Sequence, residues 1–61
     1  MKNARRLTQD WVVRDLVDGR RRTSYGLYWR DLEALLQSGL VVEDNHLLVL
    51  TQAGYAYGEG L

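Results

Sequence analysis

The chain has 61 residues, room for one domain (1–61) and no more. It has no Cys, which excludes disulfides and thiolate metal sites, and its one His has no acidic cluster around it. Formal net charge is zero, yet residues 1–22 carry seven bases (Lys2, Arg5, Arg6, Arg14, Arg20, Arg21, Arg22) against three acids, whereas residues 23–61 carry one base (Arg30) against five. That asymmetry predicts a basic contact surface and an acidic one. A domain of this size buries only about 60% of its unfolded surface. Without a covalent or metal staple, self-association is the stabilising device left, so a homodimer is expected. No apolar run approaches the length of a membrane span, and no apolar stretch follows the basic N-terminus, so neither membrane insertion nor a signal peptide is expected. The expected location is the cytoplasm.

Residues 1–6 read as a flexible basic arm. The first helix is predicted over Thr8 to Val17. There Val12, Val13, Leu16 and Val17 form one apolar stripe, with Leu7 and Trp11 widening it. Thr8 suits an N-cap, Asp10 the positive end of the helix dipole, and Asp18-Gly19 a left-handed stop. Arg20-Arg21-Arg22 is a short basic connector. A second helix is predicted from Thr23 or Ser24 to Ser38, on the stripe Tyr25, Tyr28, Trp29, Leu32, Leu35, Leu36. Whether residues 24–38 make one helix or two stays open. Ser38-Gly39-Leu40 closes it, with Leu40 folding back on the last turn.

Leu40–Glu43 and His46–Leu50 flank Asp44-Asn45, which predicts a β-hairpin with those two residues in the turn. Val42 then faces Leu47, and Val41 faces Leu48. Leu40, Val42, Leu47 and Val49 share one side and Val41, Leu48 and Leu50 the other. One side covers the helices and the other needs a second chain. Val41, Leu48, Leu50, Tyr55 and Tyr57 are the candidate interface residues. Thr51 caps a final helix of one or two turns weakened by Gly54, and residues 58–61 are expected to fray. The expected fold is therefore α+β: two main helices, a hairpin wing and a short C-terminal helix.

Leu32-Glu33-Ala34-Leu35-Leu36-Gln37-Ser38-Gly39-Leu40-Val41, followed after the hairpin by Leu50-Thr51-Gln52-Ala53-Gly54, resembles the winged helix-turn-helix regulators of MarR and PadR type. Those families read Leu-x-x-Leu-x-x-x-Gly-Leu-Val, a β-wing, then Leu-Thr-x-x-Gly. Asp18 to Leu27 is similar to the PadR-type passage into the second helix, with Tyr25-Gly26 in place of Gly-Tyr. The resemblance touches about two-thirds of the chain and implies a small dimeric DNA-binding transcriptional regulator of bacterial or phage type.

Candidate nucleic-acid contacts are Arg5, Arg6, Arg20, Arg21 and Arg22 toward phosphates and Arg30 and Gln37 toward bases. The plainer reading of the arginines is a solvated connector, with Arg20 neutralising the end of the first helix. Trp11, Tyr25, Tyr28 and Trp29 can stack bases or anchor an interface, but the stripe assigns most of them to core and dimer packing. His46 reads as an exposed turn residue rather than a metal or pH-sensing group. Tyr55 and Tyr57 can pack on the hairpin or meet a partner. The chain has no Walker motif, no His-Glu-x-x-His, no paired carboxylates in an evident cleft and no dinucleotide loop. It is therefore expected to be no enzyme, with no cofactor and no small-molecule substrate. The acidic turn Glu43-Asp44 and the acidic Asp31 and Glu33 support an alternative: a small phage- or plasmid-type module that binds and modulates a host protein.

Overall fold

The computed structural model describes the backbone of residues 2–61 and the side chains of residues 8–61. Helix α1 spans Lys2–Val17, a 3-10 turn covers Ser24–Gly26, and α2 spans Trp29–Gln37. Strands β1 (Val41–Asp44) and β2 (Leu47–Leu50) form an antiparallel hairpin, and α3 spans Gln52–Glu59. This is the expected small α+β domain with a hairpin, and the order of its elements is compatible with a winged helix.

Helix α1 starts six residues earlier than the Thr8 cap predicted. Ala4, Arg5, Arg6 and Leu7 are all strong helix formers, so nothing in the local chain opposes extension through the supposed arm. The helix ends as expected. Gly19 takes φ 84°, its N–H donates to the Leu16 carbonyl (3.1 Å), and the Arg20 N–H donates to that of Asp15 (2.9 Å). These are the two bonds of a Schellman cap.

The second predicted helix is broken. Ser24–Gly26 makes a single 3-10 turn, Leu27 (φ −121°, ψ 147°) and Tyr28 (φ −60°, ψ 135°) are extended, and α2 begins only at Trp29. Gly26 weakens any helix through this point by about 1 kcal/mol. A competing set of bonds takes the chain instead. The Ser24 N–H donates to the His46 carbonyl (2.8 Å), the Leu48 N–H donates to the Arg22 carbonyl (2.9 Å), and Thr23 bridges Leu47. Residues 22–24 thus lie along the second edge of β2. The first part of the predicted helix is a short strand-like segment and a turn.

Helix α2 closes at Gly39 (φ 78°), whose N–H donates to the Leu36 carbonyl (3.2 Å). The Ser38 hydroxyl donates to the Leu35 carbonyl (2.5 Å) and accepts from the Leu40 N–H (3.2 Å), so it bridges the last turn to the incoming strand. Leu40 is folded inward, as expected.

The hairpin turn is Asn45-His46, one residue later than predicted. Val41 pairs with Leu50, Val42 with Val49, Glu43 with Leu48 and Asp44 with Leu47. Both turn residues have positive φ (53° and 69°), the requirement of a tight two-residue hairpin turn. His46 holds its left-handed place while its ring stacks on Tyr25 (centroids 4.6 Å apart). Moving the turn by one residue changes each partner by two, so the strand residues keep their predicted faces, whereas Leu40, expected beside Val42, Leu47 and Val49, precedes β1 and is buried in the core.

Their roles are the reverse of those assigned. Val41, Leu48 and Leu50 are buried in the core with Val12, Val13, Leu35 and Leu40, so they are not available to a partner. Leu16, Leu27, Leu32, Leu36 and Tyr57 pack around them. The open side is Val42, Leu47 and Val49. α1 supplies two adjacent core valines, and it leans on α3 as well as on the sheet and α2. Burying Leu35 fully contributes roughly 2–3 kcal/mol, and the other core side chains contribute in proportion to their apolar area.

The Thr51 hydroxyl accepts from the Gly54 N–H (3.0 Å), the expected cap, and also donates to the Gly39 carbonyl (2.5 Å). Helix α3 is longer than predicted and its end does not fray at residue 58. Gly58 is buried, and a Cβ there would lie 2.6 Å from Val17 Cγ2 and 3.1 Å from Val13 Cγ1. Gly54 is tighter still, with a Cβ 2.0 Å from the Leu40 carbonyl oxygen. The two glycines, one turn apart, are where α3 approaches α1 and the β1 entrance. They weaken the helix by propensity and strengthen its docking.

Candidate nucleic-acid interface

Helix α2 turns Leu35 to the core and leaves Arg30, Glu33, Ala34 and Gln37 outward, at i, i+3, i+4 and i+7. With Trp29 they line a shallow groove of about 220 Å³. Arg30 and Gln37, predicted as base contacts, are thereby brought onto one solvent-facing stripe. The Arg30 guanidinium lies over the Trp29 ring, 4.9 Å from its centroid. Among the described residues no carboxylate pairs with Arg30 or with Arg21.

The triple-arginine connector does not act as one patch. The Arg22 Nε–H donates to Asp15 Oδ2 (2.8 Å), its Nη2 bonds the same oxygen, and its guanidinium lies 4.2 Å from the centre of the Trp11 ring. Arg22 is therefore a clip between the connector and α1, neutralised and half-buried, and it is not a free phosphate ligand. Arg20 extends toward the other oxygen of Asp15 (3.9 Å) but stays largely in solvent. Arg21 is exposed. The sequence assigns all three to one function because they are consecutive. In the segment after the α1 cap, alternate side chains point to opposite sides: Arg20 and Arg22 face Asp15 of α1, with only Arg22 in hydrogen-bond contact, and Arg21 faces away. Arg5 and Arg6 lie on the first turns of α1, and their side chains fall outside the described residues.

The aromatic stripe is the other correction. Tyr25, Tyr28 and Trp29 keep 76%, 60% and 59% of their surface exposed, against the core packing expected of them. Because Leu27 and Tyr28 are extended, Tyr25 and Tyr28 do not share a helical face with Leu32 and Leu35, while Trp29, the first residue of α2, lies on the groove side with Arg30 and Glu33. The three aromatic residues flank the corner where the 3-10 turn meets α2: Tyr25 stacks on His46, and Tyr28 and Trp29 are tilted at 47° and 6.1 Å apart. Gly26 inside an otherwise apolar stripe was the one signal of this break. Trp11 is also partly exposed, under the Arg22 clip. Tyr57, a candidate interface residue, packs on the hydrophobic core with its hydroxyl donating to the Asp10 carboxylate. Tyr55 is exposed.

At the wing tip, His46 Nδ1 stands 3.5 Å from Glu43 Oε2 and 3.5 Å from the Ser24 hydroxyl, and Asp44 is exposed beside them. The tip is acidic, which disfavours laying it along phosphates. Among the described residues no group of three or more His, Asp and Glu is placed to hold a metal ion, and no helix is long and apolar enough to cross a membrane. Comparison with family models, with curated proteins and with solved structures gave no match for this chain.

Proposed function

We propose that this chain is a small cytoplasmic winged-helix-like DNA-binding module, of the regulator type its motifs resemble, in which α2 enters the major groove. The observation that carries this reading is the convergence of Arg30, Glu33 and Gln37 on the open stripe of α2. Seven residues of helix span about 10 Å, close to three base-pair steps of roughly 3.4 Å each. Arg suits guanine, a carboxylate suits the cytosine amino group, and Gln suits adenine, so the stripe holds three side chains able to read base edges. Arg21 and Arg20 would contact phosphates, with Lys2, Arg5 and Arg6 as further candidates. A second copy would meet the first at Val42, Leu47 and Val49, the apolar face that one chain leaves open.

Fluorescence anisotropy of duplex DNA at two salt concentrations tests the reading, with oligomeric state read by sedimentation. Salt-sensitive binding is expected. Arg21→Ala should weaken all duplexes alike and lower the salt slope by about 1. Arg30→Ala should instead relax sequence preference by about 5- to 100-fold. Duplex affinity that is absent at low salt, or indifferent to both substitutions, refutes the reading.

A second reading, a module that binds a host protein, draws on the acidic border of the open hairpin face. Asp44 pairs with Leu47 beside Val42 and Val49, with Glu43 next in the chain. A monomer in sedimentation with no DNA affinity would favour it.

A further inference from the structure

We infer that the corner formed by Tyr25, Tyr28 and Trp29 is a stacking site for unpaired nucleobases, so that the preferred ligand is a junction between duplex and single-stranded DNA. The inference rests on the DNA-binding reading and adds the form of DNA the module selects. Three large aromatic rings within five residues stand mostly in solvent, on a domain with little apolar surface to spare. Their exposure is built into the backbone. Ser24 and Leu48 are tied by 2.8 and 2.9 Å bonds to the other strand segment, which holds the 3-10 turn against the hairpin and turns Tyr25 outward. His46 stacks under the Tyr25 ring at 4.6 Å and sets its plane.

The chemistry of the corner suits bases. Every base has a π-face, and stacking on an aromatic side chain needs no particular hydrogen-bond pattern. A cation is already in place, since the Arg30 guanidinium lies on Trp29 at 4.9 Å with no carboxylate bonded to it. The Tyr25 and Tyr28 hydroxyls can donate to phosphate oxygens. The location also fits. Trp29 belongs both to the corner and to the lining of the α2 groove, so DNA read by Arg30, Glu33 and Gln37 would run directly onto the rings at the N-terminal end of α2. Intact duplex offers those rings nothing but its sugar-phosphate edge, whereas an unpaired extension offers free base faces.

The test compares a blunt duplex with the same duplex carrying a short oligo-dT tail on either strand, by anisotropy with the whole chain. The tailed duplex should bind about ten-fold tighter on one polarity, the gain from stacking about one base. Tyr25→Ala/Tyr28→Ala should bring the tailed duplex to within about two-fold of the blunt one while blunt-duplex affinity stays unchanged. Circular dichroism of that variant should match the parent, because both rings are exposed. Tyr25→Phe/Tyr28→Phe should retain most of the tail preference. Equal affinity for blunt and tailed duplexes, or a double alanine variant that loses both equally, overturns the inference and leaves the DNA reading standing. No affinity for any of the probes overturns both.

Discussion

Replacing Gly54 by Ala should destabilise the domain, although the change improves the helix. In an open helix the substitution gains about 1 kcal/mol of propensity. Here the new Cβ would sit 2.0 Å from the Leu40 carbonyl oxygen, 3.1 Å from its carbon and 2.9 Å from Leu50 Cδ2. To reach even 3.0 Å from that oxygen, the helix must retreat by at least 1 Å. The oxygen cannot turn aside without cost, because it accepts the Thr51 N–H at 3.0 Å. Overpacking typically costs 1–3 kcal/mol, and a lost hydrogen bond about 1 kcal/mol more. After the propensity gain is subtracted, a net loss of about 2 kcal/mol remains, or a fall in Tm on the order of 10 °C for a domain of this size. Thermal and urea unfolding followed by circular dichroism measure it. Gly26→Ala is the control, since nothing lies within 4 Å of its Cβ, and it should change stability by no more than about 0.5 kcal/mol. A Gly54→Ala variant as stable as the parent, or more so, would refute the close approach of α3 to Leu40.

Three further substitutions separate neighbouring residues by role. Arg22→Ala should cost about 1–2 kcal/mol in urea unfolding and shift Trp11 fluorescence, while Arg21→Ala does neither, because only Arg22 bonds Asp15 and covers the indole. His46→Val should cost about 1–2 kcal/mol, since a β-branched side chain resists the left-handed φ of 69°, whereas His46→Gly should keep the hairpin amide shifts. Thr51→Ala should cost about 1–2 kcal/mol, and Thr51→Ser should recover most of it, because a hydroxyl is enough to bond both Gly54 and Gly39.

What could be read in advance was whatever the chain decides locally. Gly19 and Gly39 stop their helices in the left-handed conformation as their neighbours demand, and Thr51 caps α3. The alternation Val41, Val42 and Leu47 to Leu50 sorts the hairpin into two faces even with the turn misplaced by one residue. Choices that depend on distant partners were not legible. The stripe from Tyr25 to Leu36 has helical spacing throughout, and only the pairing of residues 22–24 with β2 breaks it. Which hairpin face would be covered turned on where α1 packs. Arg22 looks like its two neighbours until Asp15, seven residues back, claims it. At the candidate site, Arg30 and Gln37 followed from helical periodicity, whereas the exposed corner depended on the break. The charge asymmetry of the chain was visible, but its partial cancellation through Asp15 was not.

The bonds between residues 22–24 and β2 also set how the molecule can open. Ser24 donates into the hairpin turn and Leu48 donates out of β2, so the two amides lie on opposite sides of one short ladder. Neither can be released to solvent without parting the same strands. The 3-10 turn, the His46 stack and the wing tip therefore form one cooperative unit for hydrogen exchange. A ligand that grips Tyr25 would slow exchange at Leu48 as well, through the ladder that the two segments share, without touching it.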